Sequence, residues 1–193
     1  MDIKIILASA SPRRRELVKM LNCDFLCMTA DADETLSTDE PALAVEILSD
    51  RKASAVKNAL PDFENLDGCN VIIGADTVVV CDNEIMGKPR DKNDAFRMIK
   101  KLSGKTHSVY TGVTLIWNDG SKKSFSEETK VTVSALSDRE INDYIKTKEC
   151  YDKAGSYAIQ GLFSIHIEKI DGDYNNVVGF PVSRIYRELS GKI

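Results

Sequence analysis

The chain has 193 residues, 42% hydrophobic and 29% charged, with a formal net charge of −4. That length suits a single domain, residues 1–193, burying about 70% of its unfolded surface without disulfide or metal staples, and the acidic balance argues against a nucleic-acid partner. No apolar run reaches the roughly 18 residues of a membrane span, and the first apolar run is too short and wrongly flanked for a signal peptide. The cysteines (Cys23, Cys27, Cys69, Cys81 and Cys150) are odd in number and form no CxxC. Reduced thiols in a cytoplasm are therefore expected, with neither a disulfide frame nor a zinc site. His107 and His166 have no paired ligand spacing and read as plain strand or surface residues.

In chain order, IKIIL (3–7) reads as a strand. Ser11 is a natural N-cap and Pro12 a natural first residue for a helix that buries Leu17, Val18 and Leu21. Three consecutive arginines, Arg13 to Arg15, then fall in the first helical turn, where the helix dipole already disfavours cations. A second helix is expected from about Pro41 to Leu60. Ala44, Ile47, Leu48, Ala55 and Ala59 would share its apolar face, with Glu46, Asp50 and Lys57 opposite and Lys52 near the edge. VIIGADTVVV (71–80) reads as a buried strand, with a turn at Asp82-Asn83. The next helix starts near Asp91, carries Ala95, Met98, Ile99 and Leu102 at helical spacing, and stops at Gly104.

Alternation predicts one strand over 109–117 and another through Val131, Val133 and Ala135, with Asn118-Asp119-Gly120 as the turn between them. Ser137 and Glu140 form a capping box, and Leu136 with Ile141 fits a hydrophobic staple, for a helix carrying Tyr144 and Ile145. Residues 163–170 read as a further strand, and a last helix runs from near Pro181 to just before Gly191. The mixture of strands and helices, with at least one antiparallel pair, makes the fold class α/β with a mixed sheet and flanking helices.

Two motifs fail on context. SGKTH (103–107) has Ile99 where a P-loop needs its first glycine, and it leaves a helix for a strand, the reverse of P-loop order. DGDYNN (171–176) has Asn176 at the glycine position of an EF-hand loop and Val182 at its closing glutamate, and reads as a turn.

Other positions break local rules. Asp76 lies inside an apolar strand, where it either ends the strand at a turn or marks a site. Cations recur beside backbone-special positions: Arg13 to Arg15 at Pro12, Lys88 and Arg90 around Pro89, and Lys153 before Ala154-Gly155. Singly they suit solvated surface; together they suit a polyanion such as a triphosphate. Asp33-Glu34 is an acidic surface turn or, with Asp76, a ligand set for a divalent cation accompanying phosphates. Scarce histidine and unpatterned cysteine favour Mg²⁺ or Mn²⁺ over zinc.

The stretches LASASPRRREL (7–17), ADETL (32–36), GADTVVV (74–80), GKPRD (87–91), LSGKTHSVYTGVTL (102–115), DKAGSYAIQG (152–161) and GDYNNVVGFPV (172–182) together resemble the Maf proteins, a family of nucleoside triphosphate pyrophosphatases. The resemblance implies an inosine triphosphatase-type α/β fold with two lobes around a cleft, in a cytoplasmic enzyme that often dimerises. SPRR at 11–14, ADT at 75–77 and AIQG at 158–161 resemble the branch that hydrolyses dTTP and UTP. The resemblance implies Asp76 as proton acceptor for the attacking water, Glu34 and Asp76 as metal ligands, and Ser9, Arg13, Arg14, Lys52 and Lys88 as phosphate binders. Arg13, Thr77 and Gln160 would set substrate choice. The departures, Phe180 and Asp50-Arg51, are expected to touch no functional role. A nucleotide-binding regulator of cell division that does not turn over its ligand remains the alternative.

Overall fold

The structure is a computed structural model that describes residues 3–191, apart from the side chain of Cys69. Its strands are β1 (Ile3–Ala8), β2 (Asp24–Cys27), β3 (Cys69–Cys81), β4 (Glu84–Met86), β5 (Thr106–Trp117), β6 (Lys122–Val133) and β7 (Ile167–Asp171). The helices are α1 (Pro12–Val18), α2 (Pro41–Asn58), α3 (Lys92–Leu102), α4 (Asp138–Lys146), α5 (Tyr174–Val178) and α6 (Val182–Ser190). The strands form one sheet in the order β2-β1-β3-β5-β6-β7, with β4 added to β3. β1 pairs in parallel with β2 and β3, whereas β3–β4 and β6–β7 are antiparallel. This is the mixed α/β architecture expected from the sequence.

The chain divides into two compact units: Met1–Asp76, Thr111–Glu127 and Gly179–Ile193 in the first, Thr77–Tyr110 and Glu128–Val178 in the second. In the first unit, Ile6, Ala8, Ala53, Val56, Phe63, Ile72 and Ile116 make one buried apolar cluster. In the second unit, Asp91 caps α3 by accepting from the Asp94 amide at 2.8 Å. The Ser137–Glu140 capping box of α4 is fully formed. The rejected P-loop is a helix-to-strand turn: Gly104 has φ 69° and β5 begins two residues later. Asp173 of the rejected EF-hand accepts from the Asn175 amide and opens the short α5.

Four sequence expectations are corrected. β6 starts at Lys122, directly after the 118–120 turn, and stops before Ala135. Residues 162–166 form a 3-10 turn, so β7 begins only at Ile167. His107 is a strand residue, within β5, but it is buried and not on the surface: its Nε2 lies 2.8 Å from the Tyr157 hydroxyl, and its Nδ1 has no hydrogen-bond partner among the described residues. A proton on Nε2 leaves that orphan as an acceptor, the cheaper kind to bury.

The fourth correction concerns α2. Its buried positions are Ala44, Val45, Leu48, Ser49, Ala53 and Val56, while Ala59 is exposed and Ile47 and Ala55 are only half-buried. The inward face is rotated because α2 presses on two glycines. A Cβ on Gly74 of β3 would collide with the Ser49 carbonyl and lie 2.9 Å from the Ala53 Cβ. A Cβ on Gly112 of β5 would collide with the Val45 carbonyl and lie 2.7 Å from the Glu46 nitrogen. Backbone meets backbone at both points, so small polar Ser49 is buried where hydropathy alone would place Ile47. Its hydroxyl is satisfied at 2.9 Å by Thr114.

Two outcomes follow from this packing. Gly112→Ala should cost about 2 kcal/mol or more in urea unfolding, because rigid helix backbone fills the space of the added methyl. Burial lowers the His107 pKa from 6.5 to about 4. Between those values the unfolded chain binds a proton that the folded chain refuses, so stability is full above pH 6.5 and falls as pH drops towards 4, by about 3 kcal/mol from this residue. His107→Gln should flatten that part of the stability–pH curve.

Candidate functional site

The first unit gathers the conspicuous polar residues just after β1, at the start of α1, within α2 and in the middle of β3. β1 stops at Ala8, and the Ser9 amide bonds back to the Leu7 carbonyl at 2.9 Å, turning the chain. Ser9 is buried at 8% exposure, and its Oγ accepts from the Ser11 amide at 3.2 Å and from Arg14 Nη1 at 3.4 Å. Ser11 caps α1 through the Arg14 amide, as the sequence indicated. α1 has only seven residues, so donors here are chiefly side chains, not a long helix dipole.

The three arginines have different surroundings. Arg14 Nε donates to the Gly179 carbonyl at 2.8 Å, which fixes the guanidinium against the chain just before α6. Burial lowers the Arg14 pKa, Asp76 and then Glu34 oppose the shift, and the charge of Arg13 adds to it. Arg14 therefore lies within electrostatic reach of both carboxylates and of its neighbour. Arg13 is half-buried and Arg15 is exposed.

Asp76 is the residue that broke the strand pattern. It is neither a strand end nor a turn cap, since β3 continues for five residues beyond it. Its partner is Lys52 Nζ, in direct ion-pair contact with Asp76 Oδ1 and 2.8 Å from Glu34 Oε1. The close seat of α2 on Gly74 brings Lys52 to this strand. Lys52 and Asp76 side chains are 19% and 16% exposed, whereas Glu34 is 60% exposed on a loop. Two carboxylates thus converge on one cation, and with Arg13 and Arg14 the group carries a single excess positive charge, suited to an anion.

The converging carboxylates fit an oxygen-ligated divalent ion. Among the described residues no third Asp, Glu, His or Cys joins them. A two-carboxylate donor set suits Mg²⁺ or Mn²⁺, which fill other positions with water and phosphate oxygens, and not zinc.

Arg51, expected to touch no functional role, has a structural one. From α2 its Nη1 donates to the Thr35 carbonyl at 2.7 Å and the Asp33 carbonyl at 3.2 Å, and pairs with Asp33 Oδ2 at 3.3 Å. Asp33 Oδ1 accepts from the Thr35 amide at 2.9 Å. Hydrogen bonds from the Thr35 side chain and amide, then the charge of Arg51, hold the Asp33 carboxyl below its usual range. Asp33 thus shapes the loop while Glu34 between them is presented to Lys52. The signal available in sequence was an arginine one residue from Lys52, but its partner lies 16 to 18 positions away.

Thr77, Lys88 and Gln160 belong to the second unit. Thr77 is half-buried on β3, Lys88 is exposed just beyond β4, and Gln160 is exposed in a turn. The Gly87 carbonyl next to Lys88 accepts from the Gly155 amide at 3.0 Å, joining the GKPRD and DKAG stretches. Two of the recurrent cations are used internally: Arg90 pairs with Asp94 at 3.4 Å, and Lys153 donates to the Glu149 carbonyl at 2.7 Å.

Fold and residues together define an α/β protein with a mixed acidic and basic cluster in its first unit. The chain belongs to the Maf family, matching the description "Maf-like protein" over residues 4–192. It is 47% identical to a dTTP/UTP pyrophosphatase of Agathobacter rectalis, covering 96% of each chain. It is 50% identical to a dTTP/UTP pyrophosphatase of Thermosipho africanus, covering 95% of this chain and 91% of the relative. The structure of the Staphylococcus aureus Ham1 protein is 13% identical with a TM-score of 0.52, over 98% of this chain and 100% of that one. That likeness concerns the fold alone.

Arg51→Ala should release the Glu34 loop. Backbone amide exchange at residues 33–35 is expected to accelerate about tenfold, the equivalent of about 1.4 kcal/mol of local stability. Global stability should change by less than about 1 kcal/mol, because the contacts are solvent-exposed.

Proposed function

We propose that this chain is a nucleoside triphosphate pyrophosphatase that hydrolyses dTTP and UTP to the monophosphate and pyrophosphate. The observation that carries the reading is the convergence of Asp76 and Glu34 on Lys52, beside Arg13 and Arg14. Relatives of 47% and 50% identity that are named dTTP/UTP pyrophosphatases support it. Water attacks the α-phosphorus, the bond from that phosphorus to the bridging oxygen breaks, and pyrophosphate leaves. Asp76 accepts the proton of the attacking water. Ser9, Arg13, Arg14, Lys52 and Lys88 bind phosphate oxygens through charge-assisted hydrogen bonds. Lys52 holds the two carboxylates together, and its flexible stem lets the ammonium transfer to phosphate.

Glu34 and Asp76 would hold a Mg²⁺ or Mn²⁺ ion, which when bound neutralises phosphate charge. Arg13, Thr77 and Gln160 set base choice. A uracil-type ring offers an N3–H between two carbonyl acceptors, and a glutamine amide can donate to one and accept from the other. Residues 1–193 act as one functional domain, the substrate is a free nucleotide and not a nucleic acid, and the reading includes a homodimer in a reducing cytoplasm without membrane attachment.

The test is release of pyrophosphate from each nucleoside triphosphate with Mg²⁺. Asp76→Asn should lower kcat by about 10² to 10⁴ with the thermal transition retained. Near-normal turnover in that variant would overturn the role of Asp76. Tight binding of dTTP without pyrophosphate release by the wild type would favour a non-hydrolytic regulator.

A further inference from the structure

The AIQG stretch is irregular backbone, yet it is gripped on both sides of Gln160 by one side-chain relay. On the near side, the Ala158 amide donates to the Tyr144 hydroxyl at 3.2 Å. That hydroxyl in turn donates to Glu149 Oε1 at 3.1 Å. On the far side, the Leu162 amide donates to Glu149 Oε2 at 3.1 Å. Between the two grips, a Cβ on Gly161 would collide with the Glu149 carboxylate, which lies flat against the bare Cα. The relay is itself anchored. Tyr144 is buried on α4, with its ring 4.9 Å from that of Phe163. Glu149 follows Lys148, whose left-handed φ of 64° turns the chain out of α4. Lys153 Nζ holds the Glu149 carbonyl at 2.7 Å.

We propose that Glu149, together with Tyr144, is a positioning residue for base discrimination: it fixes residues 158–162 so that Gln160 presents its amide in one orientation. The inference rests on the reading above in which Gln160 contacts the base. Four features meet at one carboxylate: two amide anchors two residues either side of Gln160, a hydroxyl that links them, and a glycine that leaves room for the link. A carboxylate suits the post because it accepts on both oxygens at once and needs no donor in return. An amide there would keep only one of the two acceptors. Loss of the relay frees several backbone dihedrals next to Gln160, so the loss falls on orientation, and therefore on the difference between bases, and not on bond breaking at phosphorus.

The test measures kcat/KM for dTTP, UTP and CTP with Mg²⁺ on the full chain and its variants, with thermal transitions as a check on folding. Tyr144→Phe keeps the buried ring, and Glu149→Ala removes the carboxylate. Both should reduce the preference for dTTP over CTP about tenfold, chiefly through KM for dTTP, with kcat little changed. Glu149→Gln should restore part of the preference. Gly161→Ala should reproduce the loss, because its methyl evicts the carboxylate. The Glu149→Ala/Gly161→Ala double variant should be no worse than either single one, since both act on one contact.

An unchanged preference in folded Tyr144→Phe and Glu149→Ala would overturn the proposal. So would an equal loss on all three nucleotides, or a wild type that does not discriminate among them. A wild type that releases pyrophosphate from no nucleoside triphosphate would instead overturn the functional reading, and this inference with it.

Discussion

The first unit depends on how closely α2 can approach the sheet. Gly74 and Gly112 let the carbonyls of Ser49 and Val45 rest where side chains would otherwise stand. A helix on a sheet of branched residues is held off by its own side chains; here the spacer is missing at two strands, and the helix settles onto backbone. That contact fixes both height and rotation. Rotation decides which residues point inward, and so turns Lys52 from an edge position on a helical wheel into the partner of Asp76. A half-buried carboxylate in the middle of a strand is costly when alone. The chain offsets that cost with an ammonium delivered from the helix, so packing and electrostatics at this point are one constraint.

Lys52 also accounts for the charge pattern that makes the opening arginines intelligible. Arg13 and Arg14 repel one another at the start of a short helix, and burial of Arg14 makes its charge costlier still. Asp76 and Glu34 offset part of this, yet Lys52 draws on the same carboxylates. Three cations gather with two anions, which leaves these five side chains a net charge of one positive. Such an arrangement is stable enough to fold, because Arg14 is also tied to Ser9 and Gly179 by hydrogen bonds. It is also electrostatically ready for an anion, the kind of group that the proposed triphosphate substrate carries.

Local chemistry in the sequence disclosed much of this. The Ser11-Pro12 start of α1, the Asp91 cap, the Ser137–Glu140 box and the positive-φ turn at Asp82-Asn83 are determined within four residues, and each formed where its residues indicated. Asp76 could be singled out because it is a carboxylate inside a continuous apolar strand. What remained hidden depends on distant partners. The rotation of α2 is dictated by glycines distant in sequence, in other strands, and hydropathy ranked Ile47 above Ser49 because it weighs side chains and not the shape of the surface they meet. His107 looked like one more strand residue, since nothing nearby reveals that Tyr157 closes over it. Residues 163–165 have the apolar content of a strand but coil into a 3-10 turn, leaving Leu162 and Ile165 exposed while Phe163 packs inward.

Several of the residues that the motifs draw attention to sit on backbone that does not hold itself in place. Glu34 lies on an open loop and Gln160 in a turn; neither has the ladder of hydrogen bonds that fixes Asp76 in β3. A loop that must hold one side chain steady needs its own carbonyls and amides tied elsewhere. Arg51 does this for residues 33–35 with donors, because that loop turns its carbonyls towards α2. Glu149 does it for residues 158–162 with acceptors, because there the amides face inward. The charge of each clamp is therefore set by which half of the peptide group its loop presents. The cationic clamp grips an acidic loop; the anionic clamp grips a neutral one through a hydroxyl and an amide that both donate to it.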